Sequence, residues 1–455
     1  MTPSITPGAS RGRRLLLTAS AGALGVGLFL VGALGLTPRE SPGGSDPNAA
    51  PVGAPAGLRE AGSSADALAT DIAGLQQHLR EKPGDAPALG TLGLDYVQQA
   101  KATVDPTYYP KAEAVLTRSL QIEATENFTA MAGMAALEAA RHNFAAALDW
   151  SQKAIAINPD NATLYGILAD AYTQLGRYPE SFDAVQHMVD LRPGTPSLTR
   201  ASYAWELRGD TAAATEDMQR ALNDAATPAD RAFTRYHLAQ LALDQGDAKS
   251  ALTQSNAGLA AAPVSADLLE GRAKAEAALG HTDAAVVDFT SAVAKVPQPS
   301  YVLELGELLQ SLGRTKDAEQ QYRVFRGEEK LLTDNGVALD SDATLFEADH
   351  GNPDQAVTLA EQGLRTRPFL DMHDAYAWAL HAAGRDAEAL EQSRQATALG
   401  MRNALFHYHQ GMIEKSLGHR DAARTELQQA LSINEHFSPL AAPLMHAALT
   451  ELGAP

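Results

Sequence analysis

Apolar residues recur every three or four positions along most of the chain, in pairs of short stretches separated by a turn. In one such pair, Tyr165, Leu168 and Tyr172 share one face of a helix that ends at Gly176. A second stretch with the same period follows and runs to Pro193, a residue that cannot continue a helix. The pattern therefore predicts two antiparallel helices joined by a tight turn.

The hairpin pattern recurs through the chain at a nearly constant interval of about 34 residues. Its turns fall at His142, Gly176, Gly209, Gly246, Gly280, Gly313, Gly351, Gly384 and Gly418. A small residue stands five positions after each turn and another stands seven positions before it, where two paired helices would approach most closely. The residues before the turns are Ala135, Ala169, Ser202, Ala239, Ala273, Gly306, Thr344, Ala377 and Gly411.

This unit resembles the tetratricopeptide repeat (TPR), a helix-turn-helix motif of about 34 residues. The best matches are residues 162–193 and 128–159, and the resemblance covers about residues 66–437. It implies an all-α fold, a right-handed α-solenoid of about ten to eleven repeats, with a capping helix in residues 438–455 that starts at Ser438. The linkers before Gly246 and Gly351 are a few residues longer, so a local departure in register is expected there.

The N-terminal region has a different composition from the repeats. Residues 1–14 end in RGRR, and residues 15–36 form a run without a charge. An apolar run of about 20 residues is long enough to cross a bilayer, here as a signal-anchor helix. The arginines place residues 1–14 in the cytoplasm and the repeats outside it, at the cell membrane. Residues 37–65 are rich in Pro, Gly and Ser and are expected to form a flexible linker. The alternative is an export signal that is cleaved, which would release a periplasmic or extracellular protein.

Charge limits the classes of partner. Residues 37–455 contain 33 basic and 55 acidic residues, a net charge of −22, and the repeats contain no basic run. Nucleic acid and anionic lipid would be repelled by this field, so neither is expected to bind the repeats. The membrane contact is expected through Leu15 to Leu36 only.

No catalytic, cofactor or metal site is predicted. Gly8 to Gly12 match G-x-S-x-G, but they precede the apolar run and have no hydrolase domain around them. His407 and His409 are two residues apart, so on a helix they point in nearly opposite directions and cannot bind one ion together. Asn127 and Asn161 occupy glycosylation sequons, but each directly precedes a first helix and is expected to cap it.

The predicted function is therefore recognition at a surface. In TPR proteins the first helix of each unit lines the concave groove, and the resemblance implies that its second, fifth, ninth and twelfth positions face that groove. At these positions stand Asp170, Tyr203, Phe233, Tyr236, Gln240, Lys274, Glu307, Trp378, His381, Tyr408, Met412 and Lys415. Aromatic residues are favoured at recognition hot spots, although several of these side chains could instead pack between neighbouring units.

Three functional hypotheses follow. The favoured one is a membrane-tethered scaffold that binds a protein or peptide partner in its groove. The second is a structural or assembly factor of a membrane or envelope complex, which would use its convex face. The third is an enzyme whose repeats position a substrate, which the absence of a recognisable catalytic motif disfavours.

Overall fold

A computed structural model describes residues 65–453 as a succession of α-helices. No strand occurs in this part of the chain. The helices are α1 (Ala65–Glu81), α2 (Ala86–Thr103), α3 (Tyr108–Ile122), α4 (Phe128–Ala140), α5 (Phe144–Ile157), α6 (Ala162–Gln174), α7 (Tyr178–Leu191), α8 (Thr195–Glu206), α9 (Thr211–Asp224), α10 (Pro228–Asp244), α11 (Ala248–Ala261), α12 (Ala266–Ala278), α13 (Thr282–Lys295), α14 (Pro299–Ser311), α15 (Thr315–Asp334), α16 (Ser341–His350), α17 (Pro353–Thr366), α18 (Leu370–Ala382), α19 (Asp386–Ala396), α20 (Ala404–Ser416), α21 (Arg420–Ile433) and α22 (Ala441–Glu451).

The helices pair as hairpins, each even-numbered helix from α2 to α20 packing against the helix that follows it. The predicted small residues lie between the two helices of each pair, and all are buried. Their size is required, because a Cβ added at Gly411 would lie 2.7 Å from Leu427. Hydroxyl groups also join the pairs, as where Ser181 Oγ donates to the carbonyl of Ala169 (3.0 Å). The all-α solenoid predicted from the periodicity is confirmed.

The predicted turns adopt the left-handed conformation in eight of the nine units. Seven are glycines, with φ between 67° and 81°, and the eighth is His142 at φ 61°. A positive φ favours glycine because it has no Cβ to clash with the backbone. Gly351 also ends a helix as predicted, but it does so at φ −133°, outside the left-handed region. There α15 extends to 20 residues and α16 has only 10, so the turn is built differently after the longer linker.

Side-chain caps begin several helices, as the sequence indicates. Asn127 and Asn161 accept hydrogen bonds from the backbone N–H groups of Ala130 and Leu164, which confirms both as N-caps. The prediction for the last helix is wrong by a few residues, since α22 begins at Ala441. Its preceding turn is held by Ser438 Oγ, which accepts from the N–H groups of Leu440 and Ala441.

The solenoid closes on itself after one superhelical turn. Tyr178 Oη accepts from the N–H of Leu370, 192 residues later along the chain, and Asn434 Nδ2 donates to the carbonyl of Leu243 across 191 residues. The Ala338 N–H similarly donates to the carbonyl of Arg141. Turns within the early hairpins therefore meet loops between the late ones. We call this line of contacts the seam.

The predicted cytoplasmic tail, signal-anchor helix and linker, residues 1–65, lie outside the described residues apart from the first residue of α1. Between residues 65 and 453, no helix combines the length and apolar character needed to span a bilayer.

Candidate functional site

The seam encloses a cavity of about 1110 Å³ on the concave side of the solenoid. Its walls come mainly from the even-numbered helices α8 to α22, the first helices of their hairpins. The loop before α22 and the helix itself close one end, and Asn434 ties this loop to α10. Cavities of this size commonly hold a drug-sized ligand or a short segment of chain.

Carboxylates are the commonest charged groups on the cavity wall. Six of them lie on even-numbered helices, and a further one, Glu435, lies in the loop before α22. The six are Glu206, Asp244, Glu304, Glu307, Asp342 and Asp349. Only two cationic side chains of fixed charge line the same wall, Lys274 and Arg402, so the cavity is strongly acidic.

Burial raises the pKa of four of these carboxyl groups, Glu206, Asp244, Glu307 and Asp342. Burial raises the pKa of Asp244 to about 6. Burial, together with the nearby charges of Asp244 and Asp371, raises the pKa of Glu206 well above its usual range. Asp371 lies close to this wall, and burial raises its own pKa to about 7, with Asp340 adding to the effect. These carboxyl groups therefore take up a proton more readily than exposed ones, because few cations of the protein lie close enough to stabilise their charge.

Lys274 is the one cation of α12 that lines the cavity, and its charge is balanced by ion pairs within the protein. Its Nζ lies 3.2 Å from Glu270 Oε1 and 3.1 Å from Glu304 Oε1. Burial alone would lower the pKa of Lys274, but Glu270, Glu304 and Asp244 raise it above its ordinary value. Gln240 completes the network by donating to Glu270 Oε2 at 3.0 Å. The charge of Lys274 is thus balanced within a cluster at the edge of the acidic wall, in which Glu304 Oε2 has no hydrogen-bond partner.

An aromatic wall faces these acids from α18 and α20. The Trp378 ring stacks on the imidazole of His409, with centroids 4.1 Å apart, and lies 5.7 Å from the Tyr408 ring. Its Nε1 donates to Asp349 Oδ1 at 2.7 Å. His409 is fixed from behind by Asp374, whose Oδ2 lies 2.8 Å from Nδ1. The wall is therefore held rigidly next to a carboxylate.

Four of the twelve residues predicted to face the groove line this cavity: Lys274, Glu307, Trp378 and Tyr408. Gln240 and His381 lie just behind it. Gln240 binds Glu270, and His381 packs beside Trp378 while its Nδ1 contacts Asp386.

The remaining predicted residues lie away from the cavity. Tyr203 is half-buried on α8, Phe233 packs on His237, and Met412 packs in the core between α20 and α22. Lys415 pairs with Glu451 at 2.6 Å.

Tyr408 is only 1% exposed on the cavity wall, and two predicted groove residues outside the cavity are also buried rather than presented to a partner. Asp170 is 5% exposed because Arg200 covers it, donating from Nε and Nη2 to both carboxylate oxygens. Tyr236 is 2% exposed and packs among apolar residues of α10 to α14. For these two, packing between neighbouring units is the interpretation that fits.

Sequence reasoning missed most of the polar residues of the cavity wall, among them Glu206, Ser300 and Asp342. Glu206 and Ser300 occupy the twelfth and second positions of their helices, so the positional rule of the repeat could have found both. Asp342 is the second residue of α16, but the irregular linker between α15 and α16 obscures the start of that helix in the sequence. Within residues 65–453, no cluster of three or more His, Asp or Glu side chains has the arrangement of a metal site.

Comparisons with known proteins agree with the fold. Tetratricopeptide repeat models match residues 111–196, 236–298 and 404–437. No curated protein matches the chain. Among solved structures, a tetratricopeptide repeat protein from Parabacteroides merdae is 19% identical over 57% of this chain and 98% of its own, with a TM-score of 0.34.

Two further structures are similar at this level. The human IFIT1 dimer with PPP-AAAA is 14% identical over 80% of this chain and 86% of its own, with a TM-score of 0.44. Yeast Tom70 is 13% identical over 85% of this chain and 96% of its own, with a TM-score of 0.34. The matched repeat models and the paired helices of the fold together identify this chain as a tetratricopeptide repeat protein.

Proposed function

We propose that this protein is a membrane-tethered scaffold that binds a segment of a partner protein inside the cavity enclosed by the seam. Tetratricopeptide repeats in general bind proteins or peptides, and they are generally non-catalytic. The observation that carries the proposal is the cavity itself, about 1110 Å³, walled by the first helices of successive repeats. The tether is the uncharged run Leu15 to Leu36, with the repeats on the extracytoplasmic side.

The shape of the cavity favours a segment of chain over a flat protein surface. Its wall extends over eight helices, and the seam covers part of the concave face. A flat surface could not reach residues such as Leu303, which is 9% exposed on the wall. An extended peptide could reach them, since its side chains alternate and would contact opposite walls.

The test uses peptide selection on the purified full-length chain. Random seven-residue peptides are displayed, and those retained are measured by fluorescence anisotropy against wild type and two variants. Ala278→Trp places a large ring in the cavity, because Ala278 lines it. Ala260→Trp places the same ring on the exposed side of α11 and serves as the matched control.

We expect Ala278→Trp to weaken binding at least tenfold and Ala260→Trp to leave it unchanged. Both variants should keep the far-ultraviolet circular dichroism of wild type. Equal affinity of the selected peptides for all three proteins would refute binding in the cavity.

A further inference from the structure

Carboxyl groups on the cavity wall outnumber the fixed cations that line it. Lys274 already pairs with Glu270 and Glu304, and Arg402 is exposed at the mouth. Glu307 has one neighbour of variable charge, His350, whose Nε2 lies 3.4 Å from its Oε1. Fixed cations within the wall are therefore fewer than the carboxylates they would have to balance.

A second observation, independent of the acids, concerns Ser300. This residue begins the cavity face of α14 and is 7% exposed, yet no described residue hydrogen-bonds its Oγ. One helical turn later on the same face, Glu304 Oε2 is also buried without a hydrogen-bond partner. Buried polar atoms are nearly always hydrogen-bonded in folded proteins. Two such atoms on one cavity wall indicate that a ligand supplies their missing hydrogen-bond partners.

The two atoms also indicate the chemistry of that ligand. A carboxylate oxygen only accepts hydrogen bonds, so the group opposite Glu304 must donate. Ammonium and guanidinium groups carry several donors each and also balance the charge of the wall. On the cavity wall, the partly exposed Trp378 ring offers a face that attracts cations.

We propose that the cavity recognises an extended protein segment bearing lysine or arginine, whose cationic groups lie between the α14 face at Ser300 and Glu304 and the aromatic wall at Trp378. This inference rests on the proposed function and specifies the chemistry of the partner. The cavity volume exceeds that needed for one basic side chain, and the row of acids from Glu206 to Asp349 suits several.

The test repeats the peptide selection on two charge variants of the full-length chain. The double variant Glu307→Gln/Asp349→Asn removes two carboxylates from the wall with little change in shape. The control Asp283→Asn/Glu319→Gln removes two charges from exposed positions on α13 and α15, so the net charge of the two proteins is equal. Any difference between them then reports the cavity and not the overall field.

Peptides selected on wild type should be enriched in Lys and Arg, and their affinity should fall at least tenfold in the cavity variant only. Their binding should also weaken as salt is raised from 50 to 500 mM. Selection of neutral or acidic peptides that Ala278→Trp still blocks would overturn this inference and leave the proposed function standing. Peptides that Ala278→Trp does not affect would instead remove the proposed function.

A free polyamine would share this chemistry, so spermine is titrated separately by calorimetry. We expect spermine to bind more weakly than the selected peptides, because it cannot fill the apolar part of the wall. Tighter binding of spermine than of every selected peptide would overturn the assignment to a protein segment.

Discussion

Replacing Arg367 with methionine should open the seam. The Arg367 side chain is 1% exposed, and its Nε and Nη2 donate to Gln174 Oε1 at 2.8 and 2.6 Å. Its Nη2 also donates to Asp340 Oδ1 at 3.1 Å, and its Nη1 lies 3.2 Å from His142 Nδ1. One guanidinium thus joins loops on both superhelical turns. Methionine keeps much of the apolar length and removes every one of these contacts.

The expected loss follows from what the substitution leaves behind. Removing one partner of a buried ion pair typically destabilises a protein by about 3 to 5 kcal/mol, because the other charge remains buried. Here Asp340 would lose its guanidinium partner, and Gln174 would lose both of its donors. A domain is commonly stable by only about 5 to 15 kcal/mol, so the loss is a large share of the total.

The assay is urea unfolding at pH 7, followed by circular dichroism, together with small-angle X-ray scattering. Arg367→Met should lower the urea midpoint strongly and increase the radius of gyration. Arg385→Met is the control, because Arg385 is 40% exposed and pairs with Glu388 at the surface, where water screens the interaction and little stability depends on it. If both variants unfold at the same midpoint and keep the wild-type radius, the seam does not depend on Arg367.

Three further predictions concern single residues. Gly306→Ala should destabilise the fold by about 1 to 3 kcal/mol in urea unfolding, because the new Cβ would lie 2.5 Å from Tyr322. Gly327→Ala has open space around it and should stabilise by up to about 1 kcal/mol; equal effects would contradict the packing argument. Asn161→Ala should cost about 1 kcal/mol through loss of the cap on α6, and an unchanged melting temperature would exclude that role. The folded pKa of Asp371, about 7, exceeds its unfolded value of 3.8, so the folded state binds this proton more tightly and stability falls as pH rises between those values. This fall amounts to at most about 1.4 kcal/mol per pH unit, and Asp371→Asn should lessen it. Urea midpoints measured between pH 4 and 8 test this, and a decline in the variant equal to that in wild type would refute the prediction.

The helix pairs could be predicted from sequence because their determinants are local. Period and turn residues fix each hairpin, and a small residue such as Ala273 or Gly411 fixes the distance between its helices. Each helix also packs mainly against helices that are close to it in sequence. These interactions repeat in every unit, and so their pattern is visible in one chain without any alignment.

The seam could not be predicted in this way. It joins residues 191 to 225 positions apart, such as His142 and Arg367. Whether they meet depends on the superhelical pitch, which accumulates from a small rotation at each repeat. In the sequence, Arg367 is only one basic residue before a proline. Its burial follows from the global curvature and not from any local pattern.

The groove residues were partly predictable, and the exceptions have a common cause. The positional rule predicts the direction in which each side chain points, but it does not predict whether a side chain from a neighbouring helix covers it. Asp170 has the predicted direction, but Arg200 on the next inner helix is long enough to cover it. Lys274 and Trp378 also contact the following inner helix, through Glu304 and His409, but they still line the cavity.

The seam and the acidity of the cavity are physically coupled. Asp371 lies on the second superhelical turn, and its charge helps to raise the pKa of Glu206 on the first. Closing the seam therefore brings like charges together, and their repulsion disfavours closure. Contacts such as those of Arg367 favour closure. A cationic segment in the cavity would relieve that repulsion and so favour the closed form. Because coupling is reciprocal, the closed form must bind the segment more tightly by the same free energy. Weakening the seam should accordingly weaken peptide affinity, even though Arg367 does not line the cavity.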